Sequence, residues 1–496
     1  MTINLLLIMI MGCNLACTKD YLSVDFTKES IPIGDYYVAT WGDDNNPGTY
    51  DKPWGTWQKA FETAQPGDLV YFRGGIWYRQ QDEPNPRINV RSGIGNSGTK
   101  DNPIRFFAYP PDIANGDSVI YDGINHLPGG EGQAWATAVA ISGARYLHFK
   151  GLTIRNVWQG RDFVQVTALN ITMSTFITVE NMTIYNIGGR GIYYSPDNAN
   201  DSSYFINIDT YNLYNEYATH QSYLDQGRVG DYGKGLFIMT YDKLNQWDQY
   251  VEIRGCRAWQ ISDDGFNICS GATAVTKNSW TFLNGHNIPE ATRTGGEGNG
   301  FKVNLVNDVS MYDDPDQVSH KVHNVISAFN YGYGYSENAN GKVSLNRHIY
   351  NNIAYKNRTF GFGISGNHPE NWEKRNNEYI NNIGYANEGP NLGEYQGGYA
   401  YTNVTNSWNN PPGHTVTDAD FVNINDEDII AQLKAPRKPD GSLPDITVFR
   451  LVENSKLKGA GTNVGMSQNP DIGIDWKYLD EKHGNASLKL LKKLSR

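Results

Sequence analysis

"NNIAYKN" (351–357) and "NNIGYAN" (381–387) share a frame of Asn, five residues, Asn, which also occurs in "NSWTFLN" (278–284) and "NVISAFN" (324–330). Earlier in the chain, "GLTIRN" (151–156), "NMTIYN" (181–186) and "NIDTYN" (207–212) match one another at spacings of about 26 to 30 residues. Apolar residues alternate inside each block, so each block is a strand with an inner and an outer face. An asparagine returning once per turn can stack on the next as an amide ladder, each side chain bonding its neighbour. Larger insertions separate the blocks, as expected where loops leave one side of a coil. These features predict an all-β chain wound as a right-handed parallel β-helix. A propeller would need longer, more regular blades of four strands.

The composition agrees. The 496 residues include 52 Gly and 32 Tyr, and only 19% are charged. A helical bundle would be richer in Ala, Glu, Lys and Leu. The net charge of −11 argues against a nucleic-acid partner, which requires a basic footprint. It leaves room for an acidic sugar polymer, because a basic groove can exist on an acidic protein.

At the N-terminus, "MTINLLLIMIMGCNLAC" has an apolar run from Leu5 to Met11, too short to span a bilayer. It reads as a secretion signal. "IMGC" and "NLAC" look like lipoprotein acylation sites, making Cys13 or Cys17 the lipidated residue and the only membrane connection. A plain cleaved signal is the alternative, and no Lys or Arg precedes the run. Residues 18–34 then form a polar tether to one domain, 35–496. Only Cys256 and Cys269 remain in it, which is no disulfide framework. Asp35–Tyr78 reads as strand, turn, a short helix around Trp57–Ala64, a "PGD" turn and a strand. That helix is suited to cover the open end of a coil, with an irregular cap over about 410–496 at the other end. The chain is expected to act as a monomer.

A second repeat carries the chemistry. Each is a glycine followed by an apolar residue: "RGIYYS" (190), "KGLFIM" (234), "DGFNIC" (264), "NGFKVN" (299), "YGYSEN" (333) and "FGFGIS" (360). As equivalent strands, they point Ile192, Leu236, Phe266, Phe301, Tyr335 and Phe362 inward. Tyr193, Phe237, Asn267, Lys302, Ser336 and Gly363 then form an outward column, with rungs about 4.8 Å apart. At the strand entrance Arg190, Lys234, Asp264 and Asn299 align in the same way. Tyr193, Phe237 and also Tyr335 are candidates for stacking on sugar faces, although each is more commonly a plain surface aromatic.

An isolated lysine on such a surface is ordinarily solvated and idle, and Asp-Asp-Gly is ordinarily a turn. Here Lys302 falls beside Asp263 and Asp264, and a lysine near other cations loses its proton more easily. Uronic-acid polymers are cut by removing the C5 proton beside the carboxylate and expelling the O4-linked sugar. The developing negative charge must be neutralised, for which Ca²⁺ held by oxygen ligands is one solution. That would explain the adjacent acids.

The run "GCRAWQISDDGFNICSGATAVTKNSWTFLNGHNI…GEGNGFKVN" (255–304) resembles the core of the family 9 polysaccharide lyases, β-helix enzymes that degrade pectin. The tail "APRKPDGSLPDITVFRLVENSKLKGAGTNVG" (435–465) is similar to that family's C-terminal segment, so the likeness covers most of the chain. The resemblance implies Lys302 as the catalytic base and a calcium pocket of four Asp, two of them Asp263 and Asp264. The third is Asn267 here, a weaker oxygen donor. The fourth is Lys234, whose ammonium would meet substrate carboxylate and depress the pKa of Lys302, unless Asp231 swings in instead. The substrate expected is an acidic pectic polysaccharide. Rhamnogalacturonan I is favoured over homogalacturonan because it carries fewer carboxylates. Arg190, Lys234, Asn267, Asn299, Tyr193, Phe237 and Tyr335 are the expected substrate contacts.

Two rivals stand beside this reading. A polygalacturonase-type hydrolase would use Asp263 and Asp264 as acid and base, but the "GHG" and "RIK" elements of such enzymes are missing, "GHN" at 285 being the nearest. A glycan-binding β-helix with a decayed site would also show Lys234 and Asn267 where acids are expected.

Overall fold

The computed structural model describes residues 31–78, 88–91, 97–124, 135–197, 200–240, 249–270, 273–286, 293–294, 296–304, 318–338, 346–364, 377–394, 401–410 and 413–480. The chain divides into two units, Met1–Ile33 and Gly34–Arg496. Only residues 31–33 of the first are described, so Cys13, Cys17 and most of the tether lie outside the described residues. So do residues 245–248, 290–292, 295 and 306–317 of the insertions at 245–250, 290–298 and 306–320.

The second unit is a coil of parallel strands forming three walls. One wall is a ten-stranded sheet that includes Arg190–Ser195, Leu236–Thr240, Phe266–Ser270, Phe301–Asn304, Tyr335–Asn338 and Phe362–Ile364 in succession. A second stacks strands such as Arg145–Lys150, Thr175–Glu180, Asp201–Ile206 and Gln249–Arg254. The third stacks Leu152–Val157, Thr183–Ile187, Asp209–Leu213 and Arg257–Ile261. All are parallel, as an unbroken coil requires.

The repeated asparagines have two separate roles. The first of each frame, Asn278, Asn324, Asn351 and Asn381, takes a left-handed backbone with φ of 50°, 55°, 55° and 60°. This turns the chain from one wall to the next, in a conformation asparagine tolerates better than most residues. The last of each frame points inward as a ladder. Asn284 Nδ2 donates to Asn330 Oδ1 at 2.9 Å, Asn330 to Asn357 at 2.8 Å and Asn357 to Asn387 at 2.9 Å. A second ladder runs Asn352 to Asn382 to Asn406 at 3.0 and 2.9 Å. A polar rail thus runs inside an otherwise apolar coil with its amide groups satisfied.

In the ten-stranded wall, Ile192, Leu236, Phe266, Phe301, Tyr335 and Phe362 are successive register partners and all are buried. Tyr335 and Phe362 stack at 4.5 Å, nearly parallel. Each such side chain contributes about 1.5–3 kcal/mol by leaving water. Glycine precedes this stack for lack of space. A Cβ on Gly265 would lie 2.1 Å from Thr281 Oγ1, and one on Gly300 2.0 Å from Ser327 Oγ.

The helix Trp57–Thr63 begins at Thr56, whose hydroxyl accepts the N–H of Lys59. It buries Trp57 and Phe61 against Phe72 and Phe106 of the first coils, at 5.0 and 4.7 Å between rings. The C-terminal segment differs from a simple end cap. Residues 416–474, including the helix Asp426–Leu433, pack along the side of the coil over Trp259, Phe282, Tyr355 and Ile383. The outward aromatic stack Tyr211–Trp259–Phe282 supplies the apolar surface that holds them there.

Candidate active site

The glycine column sets the site. Gly191 N–H donates to the Lys234 carbonyl, Gly235 N–H to that of Asp264, and Gly265 N–H to that of Asn299, at 2.8, 3.1 and 2.9 Å. Arg190, Lys234, Asp264 and Asn299 therefore occupy one position on four successive rungs. Tyr193, Phe237, Asn267, Lys302 and Ser336 pair in order as the outward column. Asp263 and Asp264 are 4% and 0% exposed, so they are not a solvated turn.

Buried carboxylates demand donors, and each oxygen has one. Asp263 Oδ1 accepts the Glu297 N–H at 2.9 Å, and its Oδ2 accepts the Lys234 ammonium. Asp264 Oδ1 accepts Asn299 Nδ2 at 2.9 Å, and its Oδ2 accepts Asn267 Nδ2 at 2.7 Å. The ammonium groups of Lys302 and Lys234 approach that same Oδ2 at 3.8 and 4.0 Å. Lys302 also donates to Glu297 Oε2 at 2.8 Å.

Charge states follow from this packing. Burial alone would lower the Lys302 pKa, but Asp264, Glu297 and Asp263 outweigh it and raise it above the ordinary lysine value. The expectation that Lys234 depresses Lys302 is therefore corrected: three nearby carboxylates prevail over one cation. Burial likewise opposes the charge on Lys234, and Asp263 and Asp264 overcome it. Asp263 is pushed up to about 7 by burial and by Asp264 beside it. Burial would raise Glu297, but Lys302 holds it below the usual carboxylate range.

The family-implied calcium ion does not fit this arrangement. Ca²⁺ takes roughly six to eight oxygens at about 2.3–2.6 Å, whereas here the acid oxygens already face an ammonium, two amides and a backbone N–H. A carboxylate only accepts, so Asn267 must present its NH₂ to Asp264, which turns its oxygen away. Asp231 does not swing in. Its carboxylate is held by Asn215 at 3.0 Å and Thr219 at 2.5 Å, and only its carbonyl reaches Lys234, at 3.4 Å. Among the described residues, no cluster of three or more His, Cys, Asp or Glu is arranged to hold a metal.

One rung from Lys234, Arg190 is 9% exposed. Its guanidinium carbon lies 3.8, 4.7 and 4.8 Å from the ring centres of Tyr232, Tyr193 and Phe237. Among the described residues no carboxylate lies in ion-pair contact with it, Asp263 acting on its charge only from farther off, and its Nε is both buried and unpaired. Burial lowers its pKa. Tyr193 and Phe237 are thus half-buried walls of an arginine cage as well as outward aromatics.

Two expected contacts lie elsewhere. Tyr335 is a core residue: its ring is stacked inside the coil and its hydroxyl donates to the Val325 carbonyl at 2.7 Å, so it faces no sugar. Asn299 is fully buried. It donates to Asp264 and to Glu297 Oε2 and accepts the Tyr333 N–H, which makes it a brace for the acids. Sequence reasoning passed over Glu297 and Tyr232. The signal for Glu297 was an acid between glycines in "GEGNGF", five residues before Lys302. A cavity of about 580 Å³ bordered by Lys100, Tyr146, His148, Phe176 and Tyr204 shares no residue with this cluster.

The Pel9A-like right-handed β-helix model matches residues 36–391. Pectate lyase L of Dickeya chrysanthemi is 27% identical over 472 residues, 92% of each chain. Pectate lyase PEL9 of Emericella nidulans is 26% identical over 358 residues, 67% of this chain and 76% of its own. Among solved structures, pectate lyase Pel9A superposes with a TM-score of 0.63 at 22% identity, covering 88% of this chain and 95% of that one. A rhamnogalacturonan lyase superposes at 0.62 and 20% identity, covering 85% and 97%. These two establish the shared fold. With the family model spanning well over half of its length, the chain belongs to the Pel9A-like right-handed β-helix family.

Proposed function

We propose that the protein is a polysaccharide lyase that cleaves a galacturonate-containing pectic backbone by β-elimination, with Lys302 as the base at C5. The observation carrying this reading is the convergence of Lys234 and Lys302 on Asp264 Oδ2, one rung from an arginine caged by aromatic rings. Cations gathered on neighbouring rungs of an acidic protein suit an anionic chain, and the curated relatives named above are pectate lyases.

In the free protein Lys302 is an ammonium, so it must lose a proton before it can accept one. Alkaline pH favours that loss, as does withdrawal of Glu297, whose side chain is 50% exposed. The neutral amine then takes the C5 proton, the C5–H electrons form the C4–C5 double bond, and the C4–O bond breaks. The leaving oxygen is protonated from solvent. Charge developing on the uronate carboxylate is met by fixed cations rather than by reorganising water. Arg190 supplies a guanidinium, whose fork geometry suits a carboxylate.

Rhamnogalacturonan I is the favoured backbone, since alternate sugars lack a carboxylate and the site offers few cations. The names of the curated relatives favour homogalacturonan as the second reading. Incubation with each purified backbone decides: unsaturated, ultraviolet-absorbing ends are expected, faster with rhamnogalacturonan I. New reducing ends without that absorbance would mean hydrolysis, although the burial of Asp263 and Asp264 argues against it. Binding with neither product would mean a glycan-binding protein. The same reading places the enzyme at the cell surface through Cys13 or Cys17. Acyl-chain labelling lost on substitution of one of these cysteines would identify the anchor.

A further inference from the structure

The acid pair poses a problem that is independent of substrate. Two adjacent carboxylates, both removed from water, cannot remain charged without a fixed positive group. The chain itself supplies one. Lys234 is rooted on the rung before Asp264, its carbonyl fixed by Gly191 N–H at 2.8 Å. Its ammonium reaches Asp263 Oδ2, the Asp231 carbonyl at 3.4 Å and the vicinity of Asp264 Oδ2 at 4.0 Å. The remaining acid oxygens are closed by Asn267, Asn299 and the Glu297 N–H. With the Lys302 ammonium also 3.8 Å from Asp264 Oδ2, this set leaves a metal ion no place of its own.

We propose that the Lys234 ammonium is the resident cation of this site, built into the chain, and that the reaction therefore requires no metal ion. The claim about activity rests on the lyase reading above. The claim about cation binding does not. Lys234 acts here as a positioning residue: it holds Asp263 and Asp264 as an ordered pair beside Lys302 and contributes fixed positive potential where the substrate's carboxylate arrives. An ammonium is a single charge on a tethered stem, so it is neither lost to chelators nor diluted away.

The test uses the full chain with CaCl₂ and EDTA as probes. Wild-type enzyme should lose less than about twofold of its rate in EDTA, and calorimetric titration with CaCl₂ should show no binding that Asp263→Asn abolishes. Lys234→Asp removes the amine and adds a third carboxylate. It should acquire stoichiometric calcium binding with Kd on the order of 10⁻⁴ M or tighter, and turn over substrate only when calcium is present. Lys234→Met should be slow with or without calcium. The proposal is overturned if EDTA abolishes wild-type turnover and calcium restores it, with binding that Asp263→Asn removes. It is equally overturned if Lys234→Asp folds, as judged by its circular dichroism and melting, yet binds no calcium. Should a variant fail to fold, the wild-type titration and chelation decide alone. If wild type makes no unsaturated product on any pectic backbone, the lyase reading fails while the two titrations still judge the cation claim.

Discussion

Lys302 Nζ and Glu297 Oε2 lie 2.8 Å apart, and this contact joins a buried amine to a half-exposed acid. Together with Asp264, whose charge acts more strongly, it keeps the proposed base protonated in the resting molecule. A rate limited by neutral Lys302 must rise with pH, because its pKa is raised above the ordinary lysine value and the base form appears only as pH climbs toward it. Glu297→Gln removes an attracting charge, lowers that pKa and shifts the alkaline limb to lower pH by about one unit, or up to about tenfold in rate near pH 8. The pH–rate profile of the variant checks this, and a limb that stays where it was would remove Lys302 from the base role.

Charge and basicity at position 302 are separable. Lys302→Ala should lower kcat by about 10²–10⁴-fold while retaining oligosaccharide binding. Lys302→Arg keeps the cation but cannot release its proton near neutrality, so it should be as slow as alanine. Substantial activity in the arginine variant would make residue 302 an electrostatic group only.

Arg190 invites a test in which function and stability move in opposite directions. Its guanidinium is buried among three rings with no carboxylate in ion-pair contact. Arg190→Met fills the cage with an apolar chain and removes a buried charge that no carboxylate contacts directly. The melting temperature should hold or rise, while KM for the polymer increases by about tenfold or more with a smaller change in kcat. A variant that melts earlier and binds normally would make Arg190 structural.

The inner asparagine rail should matter to stability alone. Asn330 accepts from Asn284 and donates to Asn357 and to Ser327 Oγ. Asn330→Ala leaves buried partners unpaired on both neighbouring rungs, at about 2–3 kcal/mol. Chemical denaturation should show that loss with kcat and KM nearly unchanged at temperatures where the variant is folded.

Coil register was readable because glycine is forced at each strand entrance, where Gly265 and Gly300 have no room for a Cβ. Aligning those glycines placed Arg190, Lys234, Asp264 and Asn299 on one line before any coordinates. The paired asparagines were equally legible, although one motif concealed a left-handed turn and an inner ladder. Charge state was not readable. Lys302 depends on Glu297, which a loop brings back toward the sheet rather than the register. Tyr335 showed the limit of residue type as a guide: the same ring suits a sugar or a core, and only the parity of the strand decides. The C-terminal segment carries no repeat, so its place along the side of the coil could not be inferred from spacing.

That segment has a mechanical consequence. Arg437 joins Asp209, Asn381 donates to the Thr462 carbonyl at 2.8 Å, Asn351 to that of Gly473 at 2.8 Å, and the Asp475 N–H meets Asn324 at 2.9 Å. Solenoids in which each turn touches only its neighbours are free to fray from an end, one turn after another. Here a lateral splint clasps turns that are far apart in the stack, so the last rungs cannot unzip without tearing away a strap that also grips the middle.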